Sequence, residues 1–132
     1  MRFIVMGITA KEAAAGPPPK PEAYAAMQEY NEDLAKRGIL LAAEGLTPKT
    51  TRVKVDGDNV TVIDGPFAES KEVVAGFSII QANSLEEAIE IVSRTPNVFS
   101  GGKAEMEIRK LMDVEDFGEG FTPNEEIAKV KF

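Results

Sequence analysis

Four charged residues surround a glycine–proline pair in the segment DGPFAESKE, residues 64–72, one before the pair and three after it. Asp64 comes directly after an apolar run, and Glu69 and Glu72 follow within eight residues. A carboxylate that is held at a rigid strand end beside an apolar side chain is suited to proton transfer. The segment therefore predicts an acid–base site, with Asp64 as the proton acceptor and Glu69 or Glu72 as a second acid.

Further residues could bind a substrate beside these acids. A planar guanidinium or an ammonium group stabilises negative charge that develops on a carbonyl compound. Arg52 begins a predicted strand and Lys71 lies among the acids. The predicted substrate-binding residues are Arg52, Phe67, Lys71 and Glu44.

The same segment also has a purely structural interpretation. Pro66 has no backbone donor and forces Gly65 out of the helical region, so the pair makes a sharp turn. Phe67 would then fill the core, and the charged residues would form a solvated surface. The sequence leaves both interpretations open.

The composition excludes several classes of protein. Cysteine and histidine are both absent, which removes thiolate nucleophiles, zinc sites and hydrolases of the Ser-His-Asp type. The net charge of −7 opposes binding to nucleic acids and to anionic membranes. No calcium-loop spacing is present, so we expect neither a metal nor a cofactor.

The pattern of apolar residues predicts one α+β domain over residues 1–112 and a C-terminal tail over residues 113–132. We predict a strand over 2–8, a helix over 21–37 with an apolar stripe (Ala23, Met27, Tyr30 and Leu34) and a strand near 40–46. The turn sequence DGDN between TRVKV and VTVI predicts a hairpin. Strands are also predicted over 73–81 and 104–112. The intervening helix begins with a capping box at Ser84 and carries a stripe of Leu85, Ala88, Ile89 and Val92.

This order of elements predicts a ferredoxin-like split βαβ sheet with an inserted hairpin and both helices on one face. A bare opposite face, carrying Phe3 or Val5 and alternate residues of VVAGFSII, would expose a large apolar patch. We therefore expect a homodimer that buries this face. A second capping box, from Thr122 to Glu125, predicts a short helix in the tail that docks on the partner subunit.

The segment Asp64-Gly65-Pro66-Phe67, with the later Gly76-Phe77, resembles the signature of the DGPF group within the YCII-related proteins. The resemblance also includes LLAAEGL at 40–46 and SLEEAIEIVSRTP at 84–96. It implies a dimeric α+β barrel. In the broader YCII group it also implies a catalytic histidine on the first helix, which this chain lacks; Met27 lies near that position. A histidine mechanism therefore does not transfer.

Two functions remain open, and the sequence does not decide whether the protein is an enzyme. The first is binding of a small metabolite in a cleft beside the DGPF loop, with carboxylate acid–base catalysis. The alternative is a non-catalytic accessory protein that acts through protein contacts; the resemblance implies, as one example, association with a sigma factor. The stretch SGGK at 100–103 lacks phosphate-loop spacing and is interpreted as a connecting loop. No signal peptide or membrane span is predicted, which favours the cytoplasm.

Overall fold

The computed structural model describes residues 1–65, 67, 70–97 and 103–130. Within these residues, six strands and four helices follow one another in the order β1 (Arg2–Ala10), α1 (Lys11–Ala14), α2 (Pro21–Lys36), β2 (Leu40–Gly45), β3 (Thr51–Asp56), β4 (Asn59–Asp64), β5 (Glu72–Gln81), α3 (Leu85–Val92), β6 (Glu105–Lys110) and α4 (Glu125–Ala128). A 3₁₀ turn, Val114–Phe117, precedes α4. The predicted α+β class is confirmed.

Four strands form an antiparallel sheet in the order β2-β5-β1-β6. Each of the two βαβ connections skips one strand, so that β5 lies between β1 and β2, and β1 lies between β5 and β6. The β3–β4 hairpin forms a separate two-stranded sheet. Its turn is Gly57-Asp58, and Gly57 has a φ of 58°, which a glycine adopts without strain.

The core lies between one face of the main sheet and the two longer helices. Phe3, Val5 and Ile80 of the sheet pack in one cluster with Leu34 of α2 and with Ala88, Ile91 and Val92 of α3. The hydroxyl of Tyr30 donates a hydrogen bond of 2.9 Å to the carbonyl of Ile91, which ties α2 to α3. Both helices therefore cover the same face, as predicted.

The stripe that was predicted for α3 is only half right. Ala88 and Val92 are buried, but Leu85 and Ile89 are about half exposed, and Ile91 takes their place in the core. In this eight-residue helix two alternative apolar stripes share Ala88 and Val92: one adds Leu85 and Ile89, and the other adds Ile91. Only the direction from which the helix meets the sheet decides between these sets. The Ser84 cap itself is present, because its hydroxyl accepts a hydrogen bond from the backbone N–H of Glu87.

The prediction that Phe3 or Val5 would lie on a bare sheet face is also wrong. Both are buried under the helices, and Ile4 and Met6 lie on the opposite face. These two residues are half-buried because neighbouring strands flank them. In the tail, Asn124 and not Thr122 caps the last helix, by accepting a hydrogen bond from the N–H of Glu126.

Candidate functional site

The loop after β4 begins with a close approach between two backbone segments. The N–H of Gly65 donates a 2.7 Å hydrogen bond to the carbonyl of Thr50. A Cβ atom at Gly65 would lie 2.9 Å from that same carbonyl oxygen, which is closer than real Cβ contacts. Glycine is therefore required here for packing, and the contact closes the open end of the hairpin.

Lys11, at the junction of β1 and α1, holds this loop at two points. Its ammonium group donates a 2.8 Å hydrogen bond to the carbonyl of Phe67. Its backbone N–H donates a 2.9 Å hydrogen bond to the carbonyl of Lys71. A hydrogen bond from a charged donor contributes roughly 1.5–3 kcal/mol when buried and less at a partly exposed position such as this. The sequence analysis missed Lys11, because 56 residues separate it from Phe67.

Arg52 and Phe67, both predicted to bind substrate, contact one another. The guanidinium carbon of Arg52 lies 3.8 Å from the centroid of the Phe67 ring, in cation–π geometry. Both residues are half-buried, and Phe67 lies outside the central core cluster. The contact therefore joins the hairpin to the loop that follows it.

Asp64 and Arg52 project from opposite faces of the hairpin. Asp64 is opposite Thr51 in the strand register, whereas Arg52 is opposite Ile63. Neighbouring residues of a strand alternate between its two faces. The exposed carboxylate of Asp64 accepts a 3.1 Å hydrogen bond from the hydroxyl of Thr51. Asp64 is thus paired with a threonine rather than with the arginine.

The other predicted site residues are spread along the sheet. Glu44 of β2 is opposite Phe77 of β5. Glu72, the first residue of β5, is opposite Ala10, the last residue of β1. Glu44 and Glu72 are therefore about 17 Å apart along the strand direction. Glu44, Lys71 and Glu72 are all exposed. Glu69 and Pro66 lie outside the described residues, as do residues 100–102 of the SGGK stretch.

A groove of about 820 Å³, open to solvent, lies between the end of β1 and the segments that flank β6. It combines apolar side chains with hydroxyl, amide, ammonium and carboxylate groups. Its described lining consists of Ile8, Thr9, Ala10, Ala13, Ser93, Thr95, Asn97, Lys103, Ala104, Glu105 and Met106. Sequence reasoning did not find this groove, because its described residues come from three separate segments, 8–13, 93–97 and 103–106, without a recognisable motif.

Two hydroxyls at the groove have their protons already engaged. Ser93 donates to the carbonyl of Ile89 and Thr95 donates to that of Val92, both at 2.6 Å. A hydroxyl that donates in this way still offers oxygen lone pairs. Toward a ligand, Ser93 and Thr95 are therefore acceptors, while Lys103 and the amide of Asn97 can donate.

The segment around Lys11 connects the groove with the DGPF loop. Ala10 and Ala13 line the groove, and Lys11 between them holds the loop. Glu72 is directly opposite Ala10 in the register, with Cβ atoms about 5 Å apart in such a pair. Of the predicted acids in the described part of the chain, Glu72 is the one that the register places next to a groove residue.

One lysine and two aspartates near the start of the tail shift one another's pKa. Lys110 donates to Asp116 at 2.7 Å and lies 3.2 Å from Asp113. The hydrogen bond from Lys110 lowers the pKa of Asp116, helped by the backbone N–H of Asp113. The same two carboxylates, Asp116 first, raise the pKa of Lys110. This cluster fixes the first turn of the tail and lies outside the groove.

Comparison with known proteins identifies the domain. No described helix is both long and apolar enough to cross a membrane. No curated protein matches the chain. The family model of the YCII-related domain matches residues 1–112, from the first strand to two residues beyond β6. The chain therefore belongs to the YCII-related family.

Proposed function

We propose that this protein belongs to the DGPF-motif group of its family and binds a small metabolite in the groove at the end of β1. The observation that carries the proposal is the position of Lys11. This residue lies between two groove residues and fixes the carbonyl of Phe67. In this proposal the DGPF loop supports the binding groove through Lys11.

The lining of the groove suggests the class of ligand. Its volume of about 820 Å³ falls within the range of small-molecule sites. Ile8, Ala13 and Met106 supply apolar surface, and Lys103 supplies a cation. These groups suit a small ring or chain that carries one carboxylate or carbonyl group. The ammonium group of Lys103 would pair with that oxygen.

The acid–base step that was predicted for Asp64, Glu69 and Glu72 is retained as part of this proposal. Glu72 is its first candidate because of its pairing with Ala10. Asp64 is held by Thr51 on the hairpin, at the base of the loop. In this scheme Glu72 exchanges a proton with the ligand, and Asp64 supports the loop.

Blocking the groove tests the binding proposal. Ala13 is exposed on α1 and lines the groove, so Ala13→Trp fills the groove without disturbing the core. A panel of small carboxylic acids and cyclic ketones is screened by thermal shift, and hits are confirmed by calorimetry. We expect Ala13→Trp to weaken every hit at least tenfold. Ala15→Trp, on the same segment but outside the described lining, should leave affinity unchanged.

Equal affinity in Ala13→Trp and wild-type protein would reject the groove as the binding site. For the acid–base step, Glu72→Gln should abolish turnover of a confirmed ligand while its affinity changes less than threefold. Turnover that is unaffected in Glu72→Gln would remove this residue from the mechanism.

One observation favours the alternative, an accessory protein that acts through protein contacts. Four valines of the hairpin are exposed by 57–70%. Apolar clusters of this kind mark interaction surfaces. Under this alternative, a cellular phenotype would survive Ala13→Trp and be lost when the hairpin valines are replaced. The opposite pattern would favour metabolite binding.

A further inference from the structure

The hairpin carries a continuous apolar surface. Val53 is opposite Val62, and Val55 is opposite Val60. Because side chains alternate along a strand, these two pairs project from the same side of the hairpin. All four are exposed, by 57%, 62%, 70% and 63% respectively. We call this surface the valine face.

A second exposed apolar surface lies at the other end of the chain. The segment 112–130, here called the C-terminal arm, has large apolar side chains that are all 42–72% exposed: Met112, Val114, Phe117, Phe121, Ile127 and Val130. Phe117 and Phe121 stack on one another, with ring centroids 4.2 Å apart and planes 16° apart. The stack presents one flat apolar block, of the kind that packs on a strand surface.

The two surfaces start from opposite ends of the main sheet. The arm leaves β6 next to the first residue of β1, where the N–H of Leu111 donates to the carbonyl of Arg2. The hairpin leaves the sheet between Gly45 and Glu72, and Glu72 is opposite Ala10 at the far end of β1. Nine residues of β1 separate these ends, which corresponds to about 27 Å.

A two-fold axis perpendicular to the strands reverses their direction. Such an axis therefore places the arm of the first copy beside the hairpin of the second. By symmetry, the arm of the second copy lies beside the hairpin of the first, so a closed dimer contains two equivalent arm–hairpin contacts. In a single chain both surfaces stay exposed. The opposite placement of arm and hairpin is the arrangement that reciprocal exchange between two copies requires.

The exposed area also suits a second copy. The valine face offers on the order of 400 Å², because a valine side chain contributes about 100 Å² when it is buried. The arm offers a similar area, so arm and hairpin together bury on the order of 800 Å² from each copy. A stable interface buries about 800 Å² on each partner. Either surface alone would fall short of that value.

Charge favours contact between arm and hairpin over contact between two arms. Six carboxylates and one lysine lie between residues 113 and 130, a net charge of −5. Two such arms would repel one another. Residues 51–64 of the hairpin carry two basic and three acidic side chains, a net charge of −1. An arm therefore meets much less negative charge on a hairpin than on a second arm.

We propose that a second copy of this chain covers the valine face, with the C-terminal arm of each copy lying on the hairpin of the other. The Phe117–Phe121 stack contacts the four valines, and the cluster of Lys110 with Asp113 and Asp116 sets the direction in which the arm leaves its own sheet. This arrangement does not depend on the proposed ligand groove.

The absence of cysteine from the chain allows a direct test. Val55→Cys is introduced into one copy and Phe121→Cys into a second copy of different tag length, both full-length. After mixing and mild oxidation, we expect a cross-linked heterodimer as the main product on a non-reducing gel. Copies with Val55→Cys mixed with copies carrying Ala25→Cys, on the exposed surface of α2, should give less than one tenth of that product.

Equal cross-linking by the Ala25→Cys control would overturn the proposal, as would failure of the Val55–Phe121 pair. A third chain that carries both cysteines distinguishes exchange from self-contact. Formation of an intrachain disulfide in dilute protein would mean that the arm covers its own hairpin, which also contradicts the proposal.

Light scattering provides an independent measurement. Replacing Val53, Val55, Val60 and Val62 by threonine preserves strand propensity and the shape of the side chains. We expect the dimer dissociation constant to rise at least tenfold in this variant and in Phe117→Ser/Phe121→Ser. Circular dichroism checks that both variants fold. Unchanged dimerisation in both would reject the arm–hairpin contact.

Discussion

The main sheet and the β3–β4 hairpin are built from similar apolar residues but differ in what covers them. In β1, Phe3 and Val5 are 2% and 7% exposed because α2 and α3 pack over them. In the hairpin, Val55 and Val60 are 70% and 63% exposed, because no helix of the described chain covers the valine face. An alternating strand pattern indicates that one face of the strand is buried. The tertiary arrangement decides whether an element of the same chain buries that face.

This difference implies different sources of stability for the two regions. Burial of a large apolar side chain contributes about 1.5–3 kcal/mol. A two-stranded hairpin without a covering layer is marginal in water. The order of the hairpin therefore depends on its base, where Gly65 meets Thr50 and Arg52 stacks on Phe67.

The largest expected effect tests the core. Phe3→Ala should lower the free energy of unfolding by about 3–5 kcal/mol, because it leaves a cavity beneath both helices. Val55→Thr, at an exposed hairpin position, should change it by about 0.5 kcal/mol or less. Urea unfolding at low protein concentration, followed by circular dichroism, measures both values. Similar losses in the two variants would mean that the hairpin is packed as tightly as the core.

A smaller effect is expected where the two regions join. Gly65→Ala forces a Cβ atom against the carbonyl of Thr50 and should cost about 1–3 kcal/mol. Gly45→Ala is the matched control, because no atom lies within 4 Å of the added Cβ. Hydrogen exchange should show faster opening of the β3 and β4 amides in Gly65→Ala alone. Identical exchange in the two variants would show that the close approach does not support the hairpin.

The smallest effect concerns the start of the C-terminal arm and depends on pH. The pKa of Asp116 is lowered by Lys110, so its contribution is present above the unfolded carboxyl pKa and is lost as pH falls through the lowered folded pKa. The pKa of Lys110 is raised, so its contribution is present below the unfolded lysine pKa and is lost as pH rises through the raised folded pKa.

Amide chemical shifts of Val114–Phe117 should therefore change together in the acid range, while the melting temperature changes little, because the pair is exposed. Asp116→Asn should abolish this acid transition. If the transition persists in that variant, a different carboxylate controls the turn.

The sequence predicted the elements of the main sheet well because strand and helix periodicities are local. The hairpin turn at Gly57 and the helix cap at Ser84 depend on residues that are neighbours in the chain, and both are present. The buried side of α3 was mispredicted, because Leu85, Ile89 and Ile91 are all apolar. Choosing among them requires knowledge of the sheet beneath the helix.

The candidate site was less predictable for the same reason. The motif located the loop at Asp64, but the groove and the Lys11 contact depend on segments that are distant in sequence. The sequence could not show that Asp64 pairs with Thr51 while Arg52 stacks on Phe67, because strand register sets those partners. The predicted roles of Glu44, Glu69 and Lys71 in binding or catalysis stay predictions.

Lys11 forms a mechanical link between two parts of the molecule. Ala10 and Ala13 beside it line the groove, its side chain holds the carbonyl of Phe67, and the ring of that residue supports Arg52 in the hairpin. A shift of α1 can therefore reach the hairpin through the Lys11 side chain and the Phe67 ring. We expect events at the groove to alter the orientation of the valine face, and nuclear magnetic resonance of the valine methyl groups would detect that motion in wild-type protein but not in Lys11→Met.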